Sequence, residues 1–314
     1  MTELCKICNQ PSEGRKITVR SGKEMEIYHC NNCDFDFFEI DPSVGLAQNK
    51  LDESRLKAAG LDIPSIEKDF ENGTIQSLPY LDQYITKEDE GRRLLEIGGS
   101  WGYFLKMLKE KGCNPCGVEL NTIRAKYVNE TLQIPCHTSL EDCEKSGIKF
   151  KQIFLFYVLE YIHEPVSYLQ RLHKLLEDDG RVIIITPNLL DPLKDIWQNE
   201  AFGKFFYDEN AVNYFKPQSA RNLLKKTGIA QTSVKIMQGY SFVNHASWYL
   251  TNAPRTTGRV GGDYHIENIT KRLKSSGIAL GKEMSALLQD FDAAYRAAIE
   301  KHEYGNQIEL ILYK

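Results

Sequence analysis

The sequence lacks several features that would assign it to particular classes of protein. No apolar run approaches the roughly 20 residues that a membrane-spanning helix needs. Positive charge is not in excess, since 39 lysine and arginine residues stand against 43 acidic residues and give a net charge of −4. The amino terminus has neither a basic segment nor an apolar signal core, and no internal repeat is present. We therefore expect a cytoplasmic protein with no membrane association, and nucleic acid is not a favoured partner.

The sequence does contain enough apolar residues for a substantial core, 42% of its 314 positions. From Arg92 onward, strand-like and helix-like segments alternate, which predicts an α/β fold built from parallel βαβ units. Helical patterns before that point are predicted to break at Pro64 and Pro79. We divide the chain into 1–40, a cysteine-containing module; 41–91, a helical linker or cap; and 92–314, the α/β domain, with a helical insertion at about 262–304.

Four of the eight cysteines form two C-x-x-C pairs near the amino terminus, Cys5 with Cys8 and Cys30 with Cys33. Their spacing is close to that of a four-thiolate zinc ribbon, with a hairpin around Ser21-Gly22 between the pairs. Four thiolates complete a tetrahedron and leave no open position, so we predict a structural rather than a catalytic zinc. Two redox dithiols or unligated cysteines are the alternative.

The remaining cysteines and the histidine beside Cys30 receive simpler interpretations. His29 is not needed as a fifth ligand, and we expect it at the surface. The other four thiols are expected to be small buried packing groups. They are Cys113, Cys116, Cys136 and Cys143.

The run from Leu94 to Leu105 is the most informative segment, because it is typical of a strand, a glycine turn and the start of a helix. The strand carries Glu96, and the turn contains Gly98, Gly99 and Gly102, which permit close approach of the backbone to a ligand. The free amides at the helix start, from Tyr103, would point toward that ligand. A second strand ends in Glu119, where doubly wound folds place a carboxylate for ribose hydroxyls.

The glycine pattern distinguishes between nucleotide cofactors. A dinucleotide fingerprint that begins at Gly98 would need glycine at the positions of Ser100 and Tyr103. The pattern E-x-G-x-x-x-G instead resembles motif I of the class I S-adenosylmethionine-dependent methyltransferases, E/D-x-G-x-G-x-G, with Ser100 in place of the middle glycine. An ordinary β-turn-α corner of a parallel sheet is the alternative.

Later segments extend the resemblance. Val158-Leu159-Glu160-Tyr161-Ile162-His163-Glu164-Pro165 is similar to the family pattern V-L-E-H-I-x-x-P, and Asp178-Asp179-Gly180 forms a predicted turn before a strand that ends in Pro187-Asn188. Two positions depart from the family. Tyr161 stands where histidine is common, and Lys151-Gln152 stands where an aspartate usually opens the strand.

The resemblance implies a Rossmann-like sheet of seven strands, with an antiparallel seventh strand formed by the carboxyl-terminal residues. It also implies S-adenosylmethionine as the cofactor, with Glu96 and the turn near its methionine part and Glu119 at its ribose. Ser139-Leu140 falls where relatives contact the adenine, although Ser139 is equally typical of a helix cap. The full set of implied cofactor-binding residues is Glu96, Gly98, Gly99, Gly102, Tyr103, Glu119, Leu120, Ser139, Leu140, Phe156 and Tyr157.

Methyl transfer to a hydroxyl requires a base, and the candidates in the expected strand-end loops are Tyr161, His163 and His245. For each of the two histidines, a structural role is the alternative. Aromatic residues after the fifth strand could form a lid packed on the core or an acceptor pocket. They are Trp197, Phe202, Phe205, Phe206, Tyr207, Tyr214 and Phe215, with Asn213 among them.

The sequence therefore predicts a methyltransferase that acts on a small molecule, a sugar or a nucleotide-linked sugar in polysaccharide or natural-product biosynthesis. That acceptor class is an analogy with relatives that carry zinc modules. The second hypothesis is an RNA nucleobase methyltransferase that binds RNA through its zinc module, which the acidic balance disfavours. The third is a cofactor-binding scaffold without catalytic activity.

Overall fold

The computed structural model describes residues 2–40, 66–252 and 266–314, and these form two β-sheets with helices packed around the larger one. The smaller sheet is antiparallel, with strand order β1-β2-β3-β4-β10. Its strands are β1 (Thr2–Leu4), β2 (Pro11–Thr18), β3 (Glu24–Cys30), β4 (Phe35–Phe38) and β10 (Asn213–Tyr214).

The larger sheet has seven strands: β5 (Arg93–Ile97), β6 (Asn114–Val118), β7 (Cys136–His137), β8 (Phe150–Phe156), β9 (Leu176–Pro187), β11 (Thr232–Met237) and β12 (Gln307–Tyr313). Their spatial order is β11-β12-β9-β8-β5-β6-β7. Strands β5 to β9 pair in parallel, whereas β12 runs antiparallel to both of its neighbours. This confirms the predicted Rossmann-like sheet with an antiparallel seventh strand.

Eleven α-helices are described: α1 (Ile66–Tyr84), α2 (Tyr103–Glu110), α3 (Thr122–Glu130), α4 (Leu140–Lys145), α5 (Pro165–Lys174), α6 (Pro192–Asp195), α7 (Glu200–Phe206), α8 (Pro217–Thr227), α9 (Phe242–Thr251), α10 (Ile266–Ser275) and α11 (Ala279–Lys301). Helices α10 and α11 lie between β11 and β12 in the chain, at the position of the predicted helical insertion. Within the described ranges, we find no helix long and apolar enough to cross a membrane.

The central strands are apolar along most of their length because both faces of the parallel sheet are covered. Ile153, Phe154 and Leu155 of β8 and Val182 to Ile185 of β9 are all fully buried. One irregularity separates β8 from β9, where Phe150 pairs with Leu176 but Gln152 pairs with Arg181. The predicted turn at Asp178-Asp179-Gly180 is thus a bulge inside β9 rather than a turn before it.

The predicted helix break at Pro79 is wrong, because α1 continues through this residue to Tyr84. Packing of the final turn explains why the lost backbone hydrogen bond is tolerated. Leu81 and Tyr84 are buried in the core, and the Tyr80 ring stacks on Phe156 at a centroid distance of 4.4 Å. The predicted break at Pro64 lies outside the described residues.

The amino-terminal module is docked firmly against the α/β domain. Strand β10 belongs to the domain by sequence but completes the module's sheet by pairing with β4. The Phe35 ring stacks on Phe215 at 5.3 Å, and both side chains are buried. Burial of a side chain of this size stabilises a protein by about 1.5–3 kcal/mol. Lys216 pairs with Asp34 across the same junction. The two units therefore share one packed interface.

Candidate active site and metal centre

The glycine turn after β5 adopts the tight conformation that its sequence predicts. Gly98, Ser100 and Gly102 all have positive φ, at 74°, 51° and 80°. A side chain at Gly102 would meet Val128 at 2.8 Å, and one at Gly98 would meet Val158 at 2.6 Å. Ser100 takes the left-handed conformation that a glycine adopts at lower cost. The departure from the family pattern is thus tolerated by the backbone.

Glu119 holds this turn in place. Its Oε2 accepts the backbone N–H of Ser100 at 2.9 Å, and its Oε1 accepts the N–H of Asn121 at 2.8 Å. The side chain is buried at the end of β6, where the fold rule places a ribose-binding carboxylate. The parallel pairing of β5 and β6 therefore brings the two acids predicted from sequence to the same end of the sheet, at the carboxyl ends of these strands.

Glu96 is the second acid of the site, and it is buried beneath the turn. Its Oε2 has no hydrogen-bond partner among the described residues. A Cβ atom on Gly99 would lie 2.7 Å from this oxygen, so any side chain there would displace the carboxyl group. Burial, and secondarily the charge of Glu119, raises the pKa of Glu96 to about 8. An unpaired buried carboxyl oxygen is costly, and a cationic ligand beside it would relieve that cost, so the residues fit a sulfonium cofactor that also bears an amino group.

We expect cofactor binding to release protons from Glu96. At pH 7 the carboxyl is mainly protonated because its pKa is raised, and a cationic ligand favours the carboxylate. Affinity for S-adenosylmethionine should therefore rise as the pH increases toward and through about 8. Calorimetry at pH 7 in buffers of different ionisation enthalpy should show release of up to about one proton per cofactor bound. Glu96→Gln should abolish the release, and equal release from wild type and variant would contradict this role.

The remaining predicted cofactor residues surround the same strand ends. Tyr103 is half-buried, and its ring packs edge-on against Phe70 of α1 at 6.1 Å. Leu120 is 54% exposed, whereas Leu140 is buried. Ser139 caps α4, where its hydroxyl accepts the N–H of Asp142 at 3.1 Å. Phe156 and Tyr157 lie at the end of β8.

The three predicted catalytic residues lie in different surroundings. Tyr161 ends the 3-10 helix Leu159–Tyr161 and packs against a cluster that includes Phe38 and Tyr214, on the side of the amino-terminal module. His163 is half-buried in the loop before α5. His245 is completely buried on α9. A catalytic role for any of them stays a prediction.

The hydrogen bonds around His245 fix its protonation state. Oε1 of Gln238 accepts the backbone N–H of Asn306 at 3.1 Å, and Nε2 of Gln238 donates to the Tyr240 carbonyl at 2.8 Å. The amide orientation is thus set by backbone groups, so Nε2 of Gln238 must donate to Nε2 of His245, at 3.2 Å. The ring proton then resides on Nδ1, which lies 2.6 Å from the Tyr295 hydroxyl. Both ring nitrogens are engaged inside the protein, and burial lowers the pKa of His245 to about 4.

The aromatic residues after β9 are divided between two surroundings. Phe206, Tyr207, Tyr214 and Phe215 pack near the amino-terminal module. Trp197 instead lies beside His245 and Tyr249, and it lines a cleft of about 630 Å³. Much of the cluster is therefore an interface between the two units, which favours the packing interpretation for those residues.

The four amino-terminal cysteines converge as predicted. All four Sγ atoms lie within 4.8 Å of one another, and Cys8 Sγ is 3.6 Å from Cys30 Sγ. A tetrahedral zinc with Zn–S bonds near 2.3 Å would place its sulfur atoms about 3.8 Å apart. The donor set and its spacing fit such an ion. His29 is not part of this cluster, since its Nδ1 bonds Asp36 Oδ1 at 2.6 Å, and its side chain is half-buried rather than fully at the surface.

Sequence reasoning missed several polar residues that meet near the same edge of the sheet. Tyr80 and Gln307 contact Tyr157, and Glu160 is buried beneath the loop that follows β8. Their partners come from distant segments, so no local motif marks them. For Glu160 the signal was its place in the V-L-E pattern. The unusual Lys151-Gln152 pair lies at the opposite end of β8, where Gln152 donates to Asp89 Oδ1 at 2.6 Å.

The sheet order, the glycine turn and its two acids together define an S-adenosylmethionine-dependent methyltransferase of class I. A family described as a methyltransferase domain matches residues 76–234, half of the chain. The chain belongs to this methyltransferase domain family. A search of curated proteins found no match.

Solved structures with a similar fold include three methyltransferase-like enzymes. A SAM-dependent methyltransferase from Archaeoglobus fulgidus is 16% identical to this chain. The match covers 79% of this chain and 97% of that one, with a TM-score of 0.47. Magnesium protoporphyrin IX methyltransferase from Synechocystis, with bound SAH, is 17% identical. The match covers 62% of this chain and 93% of that one, with a TM-score of 0.44. A cyclopropane synthase from Mycobacterium tuberculosis is 18% identical. The match covers 72% of this chain and 79% of that one, with a TM-score of 0.41.

Proposed function

We propose that this methyltransferase acts on a small molecule, a sugar or a nucleotide-linked sugar, and that its four cysteines hold a structural zinc ion. The observation that carries the acceptor class is the surface beside the cofactor turn. There the hydroxyls of Tyr80 and Tyr157 and the amide of Gln307 lie next to the stacked rings of Tyr80 and Phe156. Neutral hydroxyl and amide groups beside apolar side chains are suited to orienting a ligand such as a sugar through its hydroxyls.

When bound, S-adenosylmethionine would supply a methyl group on a sulfonium sulfur for transfer to a heteroatom of the acceptor. This chain's residues contribute mainly position and environment. Glu96 and Glu119 supply negative charge around the cofactor, and the turn of Gly98 to Gly102 brings the backbone close to it. Helix α1 covers this region through the contact of Phe70 with Tyr103. A covered site limits the access of water to the reacting groups.

The position of the amino-terminal module argues against the hypothesis of RNA methylation. Arg20 stacks over the Phe205 ring at 4.0 Å and pairs with Asp208 at 3.6 Å, and Arg15 pairs with Asp36 at 3.3 Å. The Arg20 guanidinium is engaged at the junction between the module and the domain, whereas that of Arg15 is paired within the module. A surface for RNA would instead present its cations toward the phosphates. The module therefore supports a structural role better than nucleic-acid recognition.

Methyl-transfer assays would test this function directly. The full-length enzyme should transfer a labelled methyl group from S-adenosylmethionine to at least one member of a panel of nucleotide sugars and free glycosides. It should transfer none to total RNA. Transfer to RNA alone, with binding that weakens steeply as salt increases, would favour the RNA hypothesis. Cofactor binding without transfer to either class would leave the scaffold hypothesis.

A further inference from the structure

Three polar side chains from distant parts of the chain meet at the edge of the sheet where the cofactor turn lies. Tyr80 comes from α1, Tyr157 follows β8, and Gln307 begins β12. The two tyrosine hydroxyls are 3.2 Å apart, and Nε2 of Gln307 is 3.2 Å from the Tyr80 hydroxyl. The same nitrogen also bonds the Tyr157 hydroxyl. We call this group the tyrosine–glutamine triangle.

The donors and acceptors of the triangle can be counted. Gln307 presents its amide nitrogen to both tyrosines, and its two N–H groups serve one hydroxyl oxygen each. A carbonyl in that place would draw both hydroxyl protons and leave two oxygens 3.2 Å apart with no proton between them. With the nitrogen there, one tyrosine donates to the other. One hydroxyl proton then has no acceptor among the described residues, so one tyrosine hydroxyl can donate a hydrogen bond to a ligand.

The backbone of Tyr157 places this group beside the cofactor turn. Tyr157 has a φ of 57°, an unfavourable conformation for a bulky residue, and its N–H is held by the Ile185 carbonyl at 2.8 Å. The next residue, Val158, packs directly over Gly98 of the turn. Backbone strain of this kind accumulates at functional sites. The Tyr157 side chain is 40% exposed, so a ligand can reach it.

The triangle is suited to recognition rather than proton removal. Burial raises the pKa of Tyr80, so this phenol remains protonated at neutral pH. The face of its ring is occupied by the Phe156 ring, and the two are nearly parallel, at 16°. An apolar surface with a neutral hydroxyl donor at its margin matches the edge of a hydroxylated ring.

We propose that the tyrosine–glutamine triangle binds the methyl acceptor by donating a hydrogen bond to a hydroxyl oxygen of a sugar ring. The inference rests on the proposed function, since it names the residues that hold that acceptor. Tyr80, Tyr157 and Gln307 then act as specificity-determining residues. The triangle also ties α1, the β8 loop and β12 together, so the acceptor would be recognised where these three segments join.

The test uses full-length protein saturated with S-adenosylhomocysteine and titrated with UDP-glucose and with methyl β-D-glucopyranoside. Binding is followed by saturation-transfer NMR, with UDP as the probe that lacks the sugar. Tyr157→Phe and Tyr80→Phe should each weaken binding of the sugar probes by about 3- to 10-fold, the effect of losing one hydrogen bond. Gln307→Glu is the sharper variant, because a carboxylate accepts both hydroxyl protons and leaves none for the ligand. Tyr313→Phe, at the other end of β12, is the matched control and should change nothing.

The outcomes are separable from those that test the proposed function. Failure to bind the adenosyl cofactor would overturn the assignment of the cofactor site itself. Normal cofactor binding with no sugar binding by the wild type would overturn the triangle as a sugar-binding site. Lower melting temperatures with unchanged affinity for the sugar probes would show that the triangle only fastens α1, which also overturns the proposal. Weakened sugar binding by Tyr80→Phe and Gln307→Glu, with cofactor affinity within two-fold of wild type, would support it.

Discussion

Cys8→Ser should cost the protein its metal and unfold the amino-terminal module. Structural zinc contributes about 10–16 kcal/mol of apparent binding free energy in small modules, which exceeds what residues 2–40 can supply by packing alone. The buried apolar side chains of the module, such as Ile27, Phe35 and Phe38, lie in clusters that it shares with the domain. We expect the melting temperature to fall by about 10 °C or more. Elemental analysis should show about one zinc per wild-type chain and almost none in the variant.

Loss of the metal should also disturb the candidate active site. Asn213, on the strand that completes the module's sheet, donates to the carbonyls of Leu159 at 3.0 Å and Ile162 at 2.7 Å. Those carbonyls belong to the loop after β8 that carries two of the predicted catalytic residues. Release of β4 from β10 would free this loop, so methyl transfer should fall along with stability.

Cys136→Ser is the matched control for this prediction. Both cysteines are half-buried, but Cys136 lies in β7 and is not a member of the four-thiol cluster. The control should retain zinc and lose little stability. A Cys8→Ser protein that is metal-free yet melts at the wild-type temperature would refute the structural role of the metal.

Glu119→Ala should reduce affinity for S-adenosylmethionine by on the order of 100-fold, since hydrogen bonds to a charged group are worth about 1.5–3 kcal/mol each. The variant loses the acceptor for the Ser100 and Asn121 amides, so the glycine turn loses its fixed conformation. It also removes the carboxylate expected at the ribose. Calorimetry with the adenosyl cofactor measures the effect.

Two further variants separate the effects of charge and geometry in the calorimetry and provide a control. Glu119→Gln keeps the size of the side chain but removes its charge, so an intermediate loss is expected if both charge and geometry matter. Glu110→Ala is the control, because that acid lies on the exposed face of α2 in an ion pair with Lys106 at 3.7 Å. Wild-type affinity in Glu119→Ala would contradict the assignment of this carboxylate to the cofactor.

Much of the fold could be predicted because its signals are local. The apolar runs of β8 and β9 and the alternation at the carboxyl terminus each depend on residues adjacent in sequence. Pro79 was misinterpreted because its local signal was overruled by contacts that Tyr80 and Tyr84 make with the sheet. A helix with enough tertiary packing can tolerate a missing hydrogen bond in its interior.

Only some residues of the candidate site could be predicted from local sequence patterns. Glu96, Gly98 and Glu119 carry a spacing that the strand-turn-helix geometry requires, and parallel pairing of β5 with β6 brings them together. The bonds of Tyr80 and Gln307 with Tyr157 span separations of 77 and 150 residues along the chain. No local pattern encodes such contacts, because they exist only after the sheet has formed and α1 has packed on it.

The class of this protein follows from its sequence, since the glycine turn, its two acids and the paired cysteines are short-range patterns typical of a cofactor site and a zinc site. The folded structure joins those parts through contacts between distant segments. It used β10 to attach the amino-terminal module to the catalytic domain, and it engaged both ring nitrogens of His245 inside the protein. It also assembled the tyrosine–glutamine triangle at the edge of the sheet. Hydrogen-bond partners and burial depend on which distant segments become neighbours, and these properties set the protonation state and accessibility of a side chain.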